Sequence, residues 1–219
     1  MLPPWTYTLL NDFNNCPRKA YHKYIAKDLP REEKSAAQLH GILMHKGFER
    51  AINEVDAIGP EIDAVQPFRH MWGPLKRAGA RAEFKMGIAP DGTSASFWSN
   101  PWGRGVADVL VMPDPRVALL VDWKTGKVRE DKVELECQAV LAKANYPQLE
   151  KITGCYGWLQ ENRLGKVYDL SDTAWAARSI AARVHEMQEC ADHESWPEAP
   201  NALCGWCPVK QCKHNRSAV

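Results

Sequence analysis

The chain has 219 residues, of which 45% are hydrophobic and 25% charged, enough apolar content for one sizeable core and too much for a disordered chain. Lysine and arginine number 28 against 27 acids, so net charge gives no reason to expect a nucleic-acid or membrane-surface partner, and any basic surface must be local. No apolar run approaches the length of a membrane span, and the start MLPPWTYTLLNDF lacks the basic segment and apolar stretch of a secretory signal, so a soluble, cytoplasmic protein is expected.

From Thr8, TLLNDFNNCPRKAYHKYI predicts a helix, a turn near Cys16 and Pro17, and a second helix with Tyr21 and Tyr24 on one stripe. SAAQLHGILMHKGFERAINEV predicts a longer amphipathic helix that buries Leu39, Ile42, Leu43, Phe48 and Ile52. RAEFKMGIAP alternates up to a Pro-Asp-Gly turn, SASFWSNPWGRGVADVLVMP reads as a second strand entered through glycines, and RVALLVDWKTG as a third, together an antiparallel meander. KVELECQAVLAKANY restores helical spacing, KITGCYGWLQ is a further strand, and SDTAWAARSIAARVHEMQECADH is a long helix with Ser171 as its expected N-cap. The tail from Trp196 is rich in proline and cysteine, and the chain shows no internal repeat.

The stretch VALLVDWKTGKV ends an apolar run on Asp122 and Lys124. Residues two apart on a strand point the same way, so a carboxylate and an ammonium are held side by side. A surface ion pair at a strand end is the plain explanation. The preceding strand, however, carries Asp108 in GRGVADVL, and in a meander that acid can reach Asp122 across the sheet. Two converging carboxylates repel, and a divalent cation such as Mg²⁺ is the usual resolution. A lysine beside such an ion can orient or deprotonate a water and offset charge on a scissile phosphate. That is phosphodiester hydrolysis chemistry.

At this point the sequence resembles the PD-(D/E)xK nuclease superfamily and, within it, the RecB-like branch. GVAD ending on Asp108, DWKTG from Asp122, Gln138 on the following helix, GILMH from Gly41 to His45 and Glu83 in RAEF match that pattern in order over nearly the whole chain. The resemblance implies an α/β, restriction-endonuclease-like core, a central mixed sheet with flanking helices, plus N-terminal helices and a C-terminal Cys-rich metal-cluster segment. It implies one nuclease domain over 1–219, with a helical part over 1–60, the core over 80–170, a C-terminal helix over 171–195 and the tail over 196–219. It also implies Mg²⁺ or Mn²⁺ held by Asp108, Asp122, the main-chain carbonyl of Trp123 and His45, with Lys124 as the catalytic lysine and Glu83 and Gln138 as further site residues. Glu83 is equally readable as a surface strand glutamate. The branch's Q-x-x-x-Y signature is broken, because QAVLA puts Ala142 where the tyrosine belongs. Tyr146, one turn on, could approach the same face, although core packing is the favoured reading for it.

CGWCPVKQC supplies Cys204, Cys207 and Cys212 with the C-x2-C spacing that lets two sulfurs face one metal. Lys213 and His214 follow, so a local Cys3His zinc site is one reading. The other comes from the resemblance to iron-sulfur members of the branch, AddB-type and CRISPR-associated nucleases, in which one early and three late cysteines hold a 4Fe-4S cluster. Cys16, Cys204, Cys207 and Cys212 match that arrangement. Thiolate-only ligation suits a cluster or Zn²⁺ over harder ions, and the cluster is the favoured reading. Its role would be structural, clasping the first helix to the tail. Cys137, Cys155 and Cys190 lie in apolar contexts and read as buried small hydrophobes.

Trp98, Trp102 and Trp123 stand near the site in sequence and could stack on unpaired bases, although burial is the stronger reading for most of the nine tryptophans. Arg18, Lys19 and Lys23, the group Lys76, Arg77 and Arg81, and Arg104 could track DNA phosphates. The expected function is therefore metal-dependent DNA exonuclease activity at single-stranded or duplex ends in replication, recombination or repair, with a phage origin compatible with the single-domain economy. The alternatives are a non-catalytic DNA-end or ssDNA-binding module, or an obligate subunit that works with a helicase, recombination or CRISPR-adaptation partner. Polarity, strand preference and oligomeric state are not legible in the sequence.

Overall fold

The computed structural model describes residues 2–30, 33–129 and 131–216. Two compact units are resolved, one formed by 34–176 and the other by 1–33 with 177–219. The first carries a seven-stranded mixed sheet. Its strands are β1 (Arg81–Ile88), β2 (Ser94–Ala95), β3 (Gly103–Asp114), β4 (Val117–Lys124), β5 (Lys151–Trp158), β6 (Arg163–Leu164) and β7 (Tyr168–Asp169). The order is β2-β1-β3-β4-β5-β6, with β7 also on β5. The expected meander is present, because β1, β3 and β4 pair antiparallel in succession. β5 then pairs parallel to β4, from Val117↔Lys151 to Lys124↔Trp158. A parallel neighbour needs a crossover, and α6 (Val133–Asn145) supplies it. The fold is thus the mixed α/β architecture with a restriction-endonuclease-like core that the sequence led us to expect. SASFWSNPWGRGVADVLVMP differs in detail, since a loop over 96–102 divides it into β2 and β3.

Against one face of the sheet lie α3 (Ala36–Asn53), α4 (Pro60–Val65) and α5 (Arg69–Arg77). Met44, Phe48, Ile52, Val65, Trp72 and Leu75 from these helices meet Val109, Val111, Val121 and Trp123 of the sheet in one core. The backbones of α3 and α4 approach so closely that a Cβ on Gly47 would stand 2.3 Å from the Glu61 carbonyl. α4 and α5 have no counterpart in the sequence reading, because Pro67 and Pro74 interrupt an otherwise helical pattern.

α3 begins at a Ser35 capping box with Gln38. Its burial departs from expectation. Phe48 and Ile52 are buried, but Leu39, Ile42 and Leu43 are exposed at 54%, 36% or more of their surface in every case, with Ile42 at 47%. The amphipathic pattern is real only over the C-terminal half, where the sheet lies beneath it; the N-terminal half has no described partner layer in its unit.

In the second unit, α1 (Tyr7–Asn15) is capped by the Thr6 hydroxyl and stops at Cys16, whose backbone is extended. α2 (Pro17–Ala20) and a π-helical turn (Tyr21–Ala26) follow. Asp12 ties these pieces together: Lys19 donates to it at 2.9 Å, Lys23 at 2.7 Å and the Tyr24 hydroxyl at 2.8 Å. The basic cluster is thus partly engaged inside the unit. α7 (Thr173–Asp192) is the long helix expected. Ser171 does not act as its cap, because its Oγ accepts from the Ile152 N–H at 3.2 Å and donates to Asp169. Cys137 and Cys155 are buried as anticipated, whereas Cys190 is only half-buried. No helix among the described residues is long and apolar enough to cross a membrane.

Burial works to raise the Asp12 carboxyl, but the hydrogen bonds from Lys23, Lys19 and Tyr24 outweigh it and hold Asp12 below the ordinary carboxylate value. A folded-state value lower than the unfolded one adds stability that is complete above the unfolded value and is lost as pH falls through the folded value. Urea titrations of the native protein should therefore show stability falling below about pH 4. Asp12→Asn should lower stability by about 1.5–3 kcal/mol near neutrality and flatten that acid-side slope.

Candidate active site

The site forms at the open end of the β3–β4 hairpin, where register places Asp108 opposite Asp122 two steps beyond the Leu110↔Leu120 pair. Asp122 points toward α6, and Gln138 Nε2 donates to its Oδ1 at 3.0 Å. Lys124, two residues on, lies with Nζ 2.6 Å from Asp122 Oδ2 and 2.6 Å from Glu134 Oε2. Trp123, between them, points the other way into the core, 1% exposed and stacked on Phe48 at 4.2 Å and 17°. Its main-chain N–H donates to Asp108 Oδ2 at 2.8 Å. Burial, the stronger reading of this indole, holds, and Trp123 offers no stacking surface.

His45 reaches the same acids from α3. Its Nδ1 is 3.4 Å from Asp108 Oδ2 and 3.7 Å from Glu83 Oε1. Glu83 is the β1 residue that faces Asp108 in register but is passed over by the ladder, which pairs Ala82↔Val109 and then Phe84↔Ala107. Its φ is +51°, in the left-handed region, where a non-glycine residue carries strain of about 1–3 kcal/mol. Asn53, the last residue of α3, steadies the strand beside it: its side chain accepts from the Ala82 N–H at 2.9 Å and donates to the Ala82 carbonyl at 3.0 Å. Glu83 therefore stands beside His45 and Asp108 and not on an exposed strand face.

Charge at the site is unbalanced. Burial first, then the charges of Asp108 and Glu134, push the Asp122 carboxyl well above the ordinary range, with Lys124 opposing. Lys124 is itself buried enough to disfavour its charge, but Asp122 and Glu134 hold its ammonium protonated beyond the usual lysine range. For His45, burial disfavours the imidazolium, while hydrogen bonding to Asp108 and Glu83 and the charges of Asp108 and Asp122 outweigh it and raise the ring to about 10. Four carboxylates thus share one lysine and one histidine.

That donor set fits a divalent cation. His45, Glu83 and Asp108 each offer a ligand atom, all within 4.8 Å of one another, and they are the one such group of three or more among the described residues. Two ligands of one Mg²⁺ lie at most about 4.2 Å apart, so a small closure suffices. Imidazole with carboxylates also suits Mn²⁺. Asp122 stands just outside this group, held by Gln138 and Lys124.

A model of the PD-(D/E)XK nuclease superfamily matches residues 4–212. The chain belongs to the PD-(D/E)XK nuclease superfamily. The match spans the sheet, the acid and lysine cluster and the cysteines of the tail up to Cys212. Among curated proteins no match is found. Among solved structures, the crystal structure of SSO0001 aligns with a TM-score of 0.48 and 17% identity, covering 94% of this chain and 85% of that one.

The structure brings together six of the expected site residues: His45, Glu83, Asp108, Asp122, Lys124 and Gln138. Tyr146 is not a core residue. Its hydroxyl accepts from Arg81 at 2.6 Å and its ring lies 6.1 Å from Phe84. Lys76 is committed to the end of α3, donating to the carbonyls of Ala51 and Glu54. Arg18 and Lys19 belong to the other unit, where Lys19 pairs with Asp12. Arg104 lies on β3, four residues before Asp108, with its guanidinium over Phe97. Glu134 was missed by sequence reasoning, although it stands one helical turn before Gln138 and so on the same face.

Trp123 can lie flat in the core because its β5 neighbour is Gly157; a Cβ there would come within 2.2 Å of the indole ring. Gly157→Ala should lower stability by about 1–3 kcal/mol, measured by chemical denaturation. Because the Trp123 N–H holds Asp108, it should also weaken divalent-cation binding measured calorimetrically.

Proposed function

We propose that this nuclease is a metal-dependent deoxyribonuclease that removes nucleotides from DNA ends, single-stranded or duplex, in replication, recombination or repair. The observation that carries the reading is the Lys124 ammonium held between Asp122 and Glu134 beside the His45, Glu83 and Asp108 group. When bound, Mg²⁺ or Mn²⁺ would neutralise charge on the scissile phosphate and lower the pKa of an attacking water. Asp108, Asp122, His45 and the Trp123 carbonyl would hold it, with Glu83 as a further acid. Lys124 would orient that water and donate toward the phosphate. Glu134 keeps Lys124 charged, and Gln138 fixes the rotamer of Asp122.

The decisive experiment follows end-labelled linear single- and double-stranded DNA with Mg²⁺, Mn²⁺ or EDTA. Asp122→Ala should lower metal-dependent cleavage by at least about a thousandfold, since a metal contributes several kcal/mol and each 1.36 kcal/mol is tenfold. Labels lost progressively from an end support an exonuclease; internal fragments refute that part. Equal, metal-independent behaviour of wild type and Asp122→Ala refutes the catalytic reading.

In the second unit, we propose a 4Fe-4S cluster on Cys16, Cys204, Cys207 and Cys212. All four cysteines line one cavity of about 210 Å³, together with His214 and Trp206. Four thiolates around one cavity suit a cluster or Zn²⁺ over harder ions. Protein purified without oxygen should carry about four irons per chain and absorb in the visible range. Cys16→Ala should lose the iron and several degrees of Tm while keeping cleavage per folded molecule. A single zinc per chain would select the Cys3His reading instead.

A further inference from the structure

The β3–β4 ladder ends at Val109↔Val121, and the N-terminal part of β3 is hydrogen-bonded to β1 down to Ile88↔Gly103. One face of this two-stranded extension is covered by α6. A Cβ on Gly105 would come within 2.7 Å of Leu141, and Met86, its register partner, is 0% exposed. Alternation then turns Arg104 and Val106 of β3, and Lys85 opposite Val106, to the other face. That face leads from Glu83 and Asp108 toward the 96–102 loop.

At the far end of it stands Trp98, 76% exposed. Phe97 backs it edge-on at 4.8 Å and 77°. Lys85 Nζ lies 5.9 Å from the Trp98 ring, and the Arg104 guanidinium lies 5.2 Å from Phe97. Neither cation has an acidic partner among the described residues. The loop is braced, because Ser99 binds the Ser96 carbonyl through both N–H and Oγ. At its base, Asn145 donates to Gly87 and accepts from Ser94.

An exposed indole with Lys85 beside it, and with Arg104 over the neighbouring Phe97 and donating to its carbonyl at 3.4 Å, combines a stacking surface with phosphate neutralisation on the open face that runs from the catalytic acids. We infer that Trp98, Lys85 and Arg104 form a subsite for an unpaired nucleotide of the substrate strand, its base on Trp98 and its flanking phosphates on the two cations. This rests on the nuclease reading above and adds a preference for strands that are single at that point. Asp108 is four residue steps along β3 from Arg104, about 13 Å. That span is about four nucleotides of a stacked strand at 3.4 Å each, and fewer of an extended one.

The test uses the full chain, with short labelled single-stranded oligonucleotides and matched blunt duplexes. In EDTA, where nothing is cut, anisotropy should show Trp98→Ala weakening single-strand binding by about 5- to 150-fold, the effect of losing one stacked base. Trp98→Phe should recover most of it. With Mg²⁺, the same variant should raise KM for single strands with kcat within about twofold. An abasic position stepped along the substrate should reproduce the defect in wild type at one place within about four nucleotides of the cut, and add nothing to Trp98→Ala. Unchanged binding by Trp98→Ala, or an abasic scan without a special position, overturns the subsite. Trp98-dependent binding with no cleavage keeps the subsite and refutes the nuclease reading; cleavage indifferent to Trp98 does the reverse. Absence of both refutes both.

Discussion

Mutual repulsion among carboxylates is the constraint around which the catalytic unit is arranged. Glu83, Asp108, Asp122 and Glu134 come from four elements, β1, β3, β4 and α6, and converge on one end of the sheet. Left to themselves such groups would neutralise or move apart. The fold holds them through shared contacts: the Trp123 N–H and His45 at Asp108, Gln138 and Lys124 at Asp122, Lys124 at Glu134, and His45 at Glu83. Each of these groups stands on a helix or strand rather than in a loop, so the acids are held in place with their repulsion only partly offset. A site of this kind is prepared for positive charge.

The two helical layers divide that work. α6 crosses from β4 to β5 because a parallel neighbour requires it, and in crossing it brings Glu134 and Gln138 over the end of β4. α3 packs its C-terminal half on the opposite face and delivers His45 at the boundary between its buried and exposed halves. Within β1, backbone regularity gives way at Glu83. Its left-handed conformation takes the residue out of the ladder and aims the carboxylate at His45, and the Asn53 bonds to Ala82 take over part of the pairing that the strand gives up. Strain of this sort clusters where function demands an orientation that a regular strand cannot supply.

Asp122 and Lys124 were legible because strand alternation is local: an apolar run broken by D-x-K leaves two side chains on one face whatever the rest of the chain does. The meander was legible for a similar reason. Leu39, Ile42 and Leu43 were misread because a helical stripe records which residues could be buried, not how far the opposing layer extends. Ser171 was misread as a cap because a hydroxyl before a helix can also serve a neighbouring strand, and here β5 takes it. Glu134 was passed over because its meaning depends on Lys124, which is ten residues away and across a layer. The left-handed Glu83 has no sequence signal at all, since glutamate carries none of the preference of glycine or asparagine for that region.

Trp123 separates the two residues of the D-x-K pair and spends its own side chain on the core, stacked on Phe48 and spaced from β5 by Gly157. Loops that carry function usually open with little free energy. Here the backbone amide that holds Asp108 belongs to one of the most deeply packed residues of the molecule, on a strand paired on both sides. Local fluctuation cannot disorganise the acids without exposing the indole, so the chemistry and the interior form one cooperative element. Plasticity toward different substrates must therefore reside in the surfaces around the acids and not in the acids themselves.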